Sequence, residues 1–503
     1  MKLEESAKGT ELQCVTEDSK QSAAVVSQQD DVSSATPDLD HHEDWRIILY
    51  YCYMDLDVEN AAVDQHVEFQ RDICQQHELL GRIRVSPEGI NGVLSGRWVA
   101  CQAYEEQLRA ELTRLISVDT ELDVKYCKLR TDLPVSTQVF DSLMVKATNS
   151  VVSLFEPGML HHDNDNDNKS STKKKYSKQS NRRKRRQQQR KDLMDQDKLQ
   201  LDNHLRQLAN QVPNFPGALH LSPQEWDRKL QQARGGDAIL LDCRNVYESN
   251  VGYFQVTSTT SAHNKSSSSQ DSITNTLLTN TRKYSDLPKI LLQSKDQWAH
   301  KKQIFMYCTG GVRCEMASKF VQAVVATNNS NEQQQQQRPP NDDVQVYQLH
   351  GGIQKYLEHH YYNNQPEQQN SSNDDNNNKS EGFYRGLNFV FDPRRTDPMV
   401  IPQKYNNTGD DDATSTMCVG KCCRCGIPHD DYDNGHAPVE NKEARCCKCR
   451  ILLLVCNACR DHVQCWGEPE KEGVSKLFCG IDDHCGDYQA TGQNPVSIVG
   501  GAS

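Results

Sequence analysis

Apolar residues are scarce in this chain. Of 503 residues, 36% are hydrophobic and 7% aromatic, so much of the chain cannot sit in a packed core and long polar insertions are expected. No long hydrophobic run is present. The longest purely aliphatic run, Ile451 to Val455, falls far short of the ~18 residues of a membrane span. The first residues, Met1-Lys-Leu-Glu-Glu-Ser, lack an apolar segment and carry acids, so neither a secretory signal nor an ordinary transit peptide is expected. Charge of one sign is missing locally: Lys173 to Lys191 contains no acid, although the net charge is −12. The acidic balance argues against a protein that coats nucleic acid and leaves room for a local RNA-contacting surface. Cysteine is plentiful at twenty residues, but it is spread singly and then packed into a C-terminal cluster. That is not the pattern of a secreted disulfide framework. The expectation is a soluble, cytoplasmic protein, with Arg182-Arg-Lys-Arg-Arg186 readable as a nuclear signal, an RNA-contacting arm or a solvated linker.

Residues 1–44 are acidic and polar without periodicity and read as disordered. From Trp45 a pattern emerges: a strand over 46–53, a helix over 58–78, a strand over 81–85, a turn and strand over 89–96, a helix over 98–116 and a strand over 122–129. The order β-α-β-β-α-β is that of a ferredoxin-like sandwich, assigned to 45–156. Asn91 reads as part of a sharp strand reversal or as a catalytic residue; the turn is the simpler reading. Residues 157–212 read as a polar and basic linker with no core between 157 and 200. A second α/β pattern fills 213–362. It opens with a capping box, Ser222-Pro-Gln-Glu225, continues through a strand over 238–241 that ends in Asp242-Cys-Arg244, and predicts a parallel sheet covered on both faces. Polar tracts at about 256–275, 331–343 and 363–380 fall between elements, where length is tolerated. A cysteine-rich region covers 381–490, followed by a tail, 491–503.

The most chemically loaded segment is Met306-Tyr-Cys-Thr-Gly-Gly-Val-Arg-Cys-Glu315. An apolar strand leads into Cys308, and a helical pattern follows from Glu315 to Ala326. Such a strand–loop–helix aims N–H groups and the positive helix end at the sulfur, which favours the thiolate. Cys308 is the candidate nucleophile. The N–H groups of Thr309, Gly310, Gly311, Val312 and Arg313 would cradle it, and Arg313 adds a charge that cannot be neutralised. Asp242 and Arg244 lie at the end of the neighbouring strand as supporting residues. Cys314 could resolve a persulfide or sulfenate on Cys308, or be a small buried side chain; Cys243 reads as core.

Cys308 and Arg313 are separated by four residues, and residues 213–362 resemble a rhodanese domain, whose cysteine takes up sulfur as a persulfide. Cysteine phosphatases of similar architecture use five intervening residues, and here that register meets Cys314. The resemblance extends to Gly81–Gly96, to Val346-Tyr-Gln-Leu-His-Gly-Gly-Ile-Gln-Lys-Tyr-Leu357 and to Arg385-Gly-Leu-Asn-Phe-Val-Phe-Asp392. Together these blocks are similar to the rhodanese-domain tRNA uridine hydroxylase family, which includes eukaryotic thiosulfate sulfurtransferase/rhodanese-like domain-containing members. The resemblance implies a ferredoxin-like domain, a rhodanese domain and a cysteine-rich domain. It further implies conversion of the wobble uridine of tRNA to 5-hydroxyuridine, with the catalytic cysteine at Cys308. The long insertions and the cysteine spacing of the tail depart from the family.

In the tail, Cys422/Cys425, Cys446/Cys449 and Cys456/Cys459 are three C-x-x-C pairs, each able to place two thiolates on one ion. They predict structural zinc. The twenty-residue gap between the first two pairs is ribbon-like, and Cys465, Cys479, Cys485, His462 and His484 are candidates for a second site. No motif for an organic cofactor is evident. Three functions remain open on these residues: a tRNA-modifying enzyme, a general sulfurtransferase fed by thiosulfate or a donor protein, and a non-catalytic interaction protein. The intact Cys308 loop argues against the third.

Overall fold

The computed structural model describes residues 42–56, 62–115, 122–129, 134–156, 181–233, 236–256, 275–333, 344–363, 382–389, 396–397, 418–432, 443–470, 472–481 and 497–499. Of the stretch expected to be disordered, 1–44, residues 1–41 lie outside these residues and His42–Asp44 form a 3-10 turn. Of the polar tracts expected at 256–275, 331–343 and 363–380, residues 257–274, 334–343 and 364–380 lie outside them, while 331–333 and Asn363 end helices.

The first unit is built from β1 (Trp45–Tyr53), α1 (Ala62–Gln76), β2 (Leu80–Ser86), β3 (Gly89–Arg97), α2 (Trp98–Leu115), β4 (Asp123–Lys128) and β5 (Leu143–Ala147). The element order is the one the periodicity predicts, and the sheet runs β4-β1-β3-β2-β5. Side chains alternate across a strand, and β1 uses both faces. Ile48, Tyr50 and Cys52 pack with Ile73, Cys74, Tyr104 and Leu108 of the two helices. Ile47 packs on the opposite face with Cys127, Leu129 and Val135. Tyr51 lies on that opposite face too, paired in register with Asn91 on one side and Asp123 on the other. The strand reversal falls at Pro87–Glu88, where Ser86 and Gly89 close a two-residue hairpin. Asn91 therefore belongs to a strand, not to the turn expected of it.

The stretch expected to be a linker, 157–212, is helical from residue 181, and its packed residues fall after 200, beyond the part expected to lack a core. Helix α3 (Asn181–Gln211) carries Leu201, Leu205, Leu208 and Ala209; its three leucines pack with Val212, Leu154 and Phe320 in the largest core, and Ala209 is buried beside them. Their spacing follows the apolar stripe of an amphipathic helix; the Arg/Lys/Gln-rich first half hides that stripe when composition is averaged.

After β6 (Leu219–Leu221), α4 (Pro223–Gln232) starts on the expected capping box, with Ser222 accepting from the Glu225 N–H. There follow β7 (Ala238–Asp242), the single turn α5 (Val246–Ser249), β8 (Gly252–Phe254), β9 (Asn275–Leu278), α6 (Leu287–Gln293), α7 (Lys295–Trp298), β10 (Gln303–Tyr307), α8 (Val312–Gln333), β11 (Gln345–Leu349) and α9 (Gly352–Asn363). Strands β9-β7-β10-β11-β6 form a parallel sheet, and Ser497–Val499 pairs antiparallel to β9. Strand β10 is central and buried along Ile304–Tyr307, with one core on each sheet face. The cysteine-rich region packs around Ile451, Leu453 and Val455 and rests on Val246 and Tyr247 of α5. Tyr432 Oη donates to the Tyr247 carbonyl at 2.7 Å. Among the described residues no helix is long and apolar enough to cross a membrane.

Candidate active site

Cys308 stands at the carboxyl end of β10, the place where open α/β sheets present functional groups. The loop runs through Gly311, and α8 begins at Val312. Gly311, at φ +97°, turns its N–H onto Cys308 Sγ at 3.1 Å. From below, Gly352 backs the loop at φ +67°. A Cβ there would lie 2.6 Å from the carbonyl oxygens of both Cys308 and Thr309, and the next two N–H groups, of Ile353 and Gln354, bind those same oxygens at 3.0 Å. Burial alone would push the Cys308 thiol up. The Cys314 thiol, the Arg313 charge and the N–H groups of Cys314 and Arg313 outweigh it, and the pKa falls to about 6.

Arg313 is held by Glu248. Its guanidinium makes a bidentate pair, Nη1 to Oε2 at 2.6 Å and Nη2 to Oε1 at 2.5 Å. Thr309 Oγ1 donates to Glu248 at 2.9 Å and accepts from Arg313 at 3.0 Å. Glu248 is itself fixed as the third residue of α5, accepting from the Asn245 N–H at 3.0 Å. Desolvation would raise its pKa, but Arg313 and Arg244 hold it below the usual carboxylate range. Asp242 and Arg244, both fully buried, form a second bidentate pair at 2.9 and 2.7 Å. Arg244 also binds the Glu248 and Gly252 carbonyls and reaches Tyr384 Oη at 3.4 Å. Its guanidinium thus ties the end of β7 to α5 and β8.

Cys314 is completely buried, on the first turn of α8, in contact with both Cys308 and Cys243. Burial and these thiols hold its own pKa well above normal. It is thus a core side chain and a neighbour of the candidate nucleophile at once.

The outer side of the loop is covered by the first unit. Tyr53 Oη donates to the Val312 carbonyl at 3.3 Å, and Tyr51 Oη reaches Glu315 at 3.5 Å. A Cβ on Gly311 would lie 3.0 Å from Tyr51 Oη. Beside Tyr51, a buried ion pair joins Lys125 and Asp123 at 2.6 Å, and Lys125 Nζ lies 5.0 Å from the Tyr51 ring centre. Burial pulls the Lys125 pKa down, opposed by Asp123 and by Cys308. Cys308 itself is 0% exposed. Glu248, Tyr51, Tyr53, Asp123 and Lys125 are not among the residues that the sequence singles out. The Asn245-x-x-Glu248 capping pattern could have flagged Glu248; the others carry no local signal.

The thiols of the tail group differently from the ribbon-like expectation. Cys422, Cys425, Cys456 and Cys459 form one cluster and Cys446, Cys449 and Cys479 another, the sulfurs of each within 4.8 Å of one another. The first pair thus joins the third, and the second joins Cys479. Both leading pairs sit on the same kind of turn: Gly426 at φ +75° donates to the Cys422 carbonyl, and Arg450 at φ +64° donates to that of Cys446. Sulfur separations of 3.6 Å (Cys425–Cys456) and 3.5 Å (Cys449–Cys479) are close to the ~3.8 Å edge of a tetrahedron with metal–sulfur bonds of about 2.3 Å. Either cluster could hold a metal ion. Cys465 and His462 belong to neither; His484 and Cys485 lie outside the described residues.

Residues 45–151 match the family described as the UPF0176 acylphosphatase like domain. A tRNA uridine(34) hydroxylase of Corynebacterium jeikeium is 25% identical over 86% of this chain and 94% of its own length. One from the Onion yellows phytoplasma is 28% identical over 86% and 95%. The chain is similar over most of its length to proteins named tRNA uridine(34) hydroxylase. The rhodanese-like domain-containing protein 6 of Arabidopsis thaliana is 26% identical over 84% of the chain; the chain spans about half, 52%, of that relative. Both of these tRNA uridine(34) hydroxylases bear the name of an enzyme, and each matches more than four-fifths of this chain.

Proposed function

We propose that this protein is an enzyme that hydroxylates the wobble uridine of tRNA, with Cys308 as its nucleophile. The carrying observation is a buried sulfur at the carboxyl end of β10, 3.1 Å from the Gly311 N–H and brought down to a pKa of about 6 by the Cys314 thiol, the Arg313 charge and their N–H groups, in a chain similar along most of its length to proteins named for this reaction. The sheet order β4-β1-β3-β2 supports a ferredoxin-like reading of 45–156, and the parallel sheet with Cys308 at its carboxyl edge supports a rhodanese reading of 213–362. In the reaction, the thiolate adds to C6 of uracil, and the C5=C6 electron pair moves to C5 and O4. C5 then attacks the terminal oxygen of a hydroperoxide-class oxidant; the C5–O bond forms, the O–O bond breaks and the alkoxide or hydroxide leaves. Loss of the C5 proton and expulsion of the thiolate restore C5=C6. Arg313 and the loop N–H groups stabilise the sulfur anion at both ends of this cycle, and the Asp242–Arg244 pair braces the strand end behind it.

Thiolate sets of this kind suit zinc, which Cys422, Cys425, Cys456 and Cys459, and Cys446, Cys449 and Cys479, would hold in a structural role.

The proposal is tested with purified protein, a tRNA transcript bearing uridine at the wobble position, and hydrogen peroxide or an organic hydroperoxide. Formation of 5-hydroxyuridine by the intact chain and its loss in Cys308→Ser is expected; product from Cys308→Ser at the intact rate would refute the role of this thiol. The one-sulfur size of the cradle favours a second reading, sulfur transfer. There the thiolate displaces sulfite from thiosulfate and becomes a persulfide. Thiocyanate release from thiosulfate and cyanide, lost in Cys308→Ser, would support it.

A further inference from the structure

Behind Arg313, between α5 and the cysteine-rich region, lies a cavity of about 480 Å³, within the ~300–1,000 Å³ range of ligand sites. Its lining includes four arginines, Arg282, Arg313, Arg445 and Arg450, and one acid, Glu248; Glu248 pairs with Arg313, and Glu443 pairs with Arg445. Arg313 and Glu248 are the pair that holds the Cys308 loop, so the cavity shares a wall with the candidate active site.

Arg445 and Arg450 come from the turns of the cysteine-rich region. Arg445 is braced by Glu443 at 2.8 Å and donates to the Arg450 carbonyl at 3.0 Å. Arg450 occupies the left-handed position closing the Cys446–Cys449 turn, and its guanidinium lies 4.2 Å from the ring centre of Trp466, which is 42% exposed. Tyr247 and Phe389 add an apolar, aromatic side to the wall, their rings edge to face at 5.2 Å. Planar guanidinium forks match phosphate oxygens, and aromatic faces beside arginines are how single-stranded nucleic acid is held without a base code.

We infer that this cavity binds a phosphate of the RNA strand next to the nucleotide presented to Cys308, with Arg282, Arg445 and Arg450 as its anion-binding side chains. This rests on the tRNA reading above. It places RNA recognition on the seam between the parallel sheet and the cysteine-rich region, an assembly a small-molecule sulfurtransferase does not need.

The test is fluorescence anisotropy of the full-length protein with a labelled tRNA transcript over a series of salt concentrations. The double variant Arg445→Ala/Arg450→Ala is expected to weaken binding by about tenfold or more and to flatten the log K against log salt slope by about 0.7 for each phosphate no longer neutralised. Arg282→Ala, far in sequence from the cysteine turns, gives the same signature singly, which separates loss of phosphate binding from a misfolded cysteine-rich region. Arg450→Lys should recover part of the affinity. Unchanged affinity and slope in Arg282→Ala and in the double variant, with tRNA bound by the intact chain, would overturn the inference and leave the tRNA reading standing. If the intact chain binds no tRNA, the tRNA reading itself falls, and the inference with it. Uridine monophosphate that binds the intact chain, while both variants keep full tRNA affinity, would overturn it in favour of a free-nucleotide site.

Discussion

At the scale of single residues, the Cys308 sulfur is governed by competing effects, and the lowering ones win. A thiolate is the reactive form, and with a pKa of about 6 it dominates at neutral pH. Below that value protons quench it, so alkylation of Cys308 by iodoacetamide should rise with pH through a midpoint near 6 and plateau by neutrality. Arg313→Gln removes a positive charge beside the sulfur and should move the midpoint up by about 1–3 units, cutting the rate at pH 6.5. A midpoint unchanged by the substitution would show that the N–H groups and the Cys314 thiol do the lowering unaided. Cys308, Arg313 and the glycines were legible because they are contiguous, and a strand–loop–helix is a local structure. Glu248 lies 65 residues from its partner Arg313 and Tyr51 lies 264 from Glu315. Such pairings are made by tertiary packing, which periodicity does not report.

At the scale of elements, α3 shows how composition misleads. A tract of Arg, Lys and Gln masks an apolar stripe that one helical face delivers to the core. Leu208 is 1% exposed, and Leu208→Ala should destabilise the protein by about 2–5 kcal/mol, read as a lower midpoint of chemical denaturation. A change below ~0.5 kcal/mol, the scale of an ordinary surface substitution, would mean that the helix does not dock. In the cysteine-rich region, the pairs themselves were legible and their partners were not, because sulfur proximity depends on how the turns at Cys422, Cys446 and Cys456 fold together. Cys456→Ser should remove one equivalent of zinc by elemental analysis, whereas Cys465→Ser, outside both clusters, should leave the stoichiometry unchanged. Equal loss from both substitutions would contradict the clustering.

At the scale of the whole molecule, the first unit and the parallel sheet meet at the loop that carries Cys308. Tyr51 and Tyr53 lie over it, and the sulfur is closed off from solvent. On the proposed function, a uridine reaches Cys308 when this cover opens or when the base takes its place. Tyr51→Ala should therefore speed alkylation of Cys308 by about tenfold, equivalent to about 1.4 kcal/mol of opening, without moving the pH midpoint greatly. An unchanged rate would show that the sulfur is reached from another side. The central claim joins this covered thiolate to one RNA base, and nucleoside mass spectrometry of tRNA tests it most directly. In cells lacking this chain and complemented with the intact protein or with Cys308→Ser, 5-hydroxyuridine-type nucleosides should return only with the intact protein. Levels unaffected by loss of the chain, or restored equally by Cys308→Ser, would contradict the account.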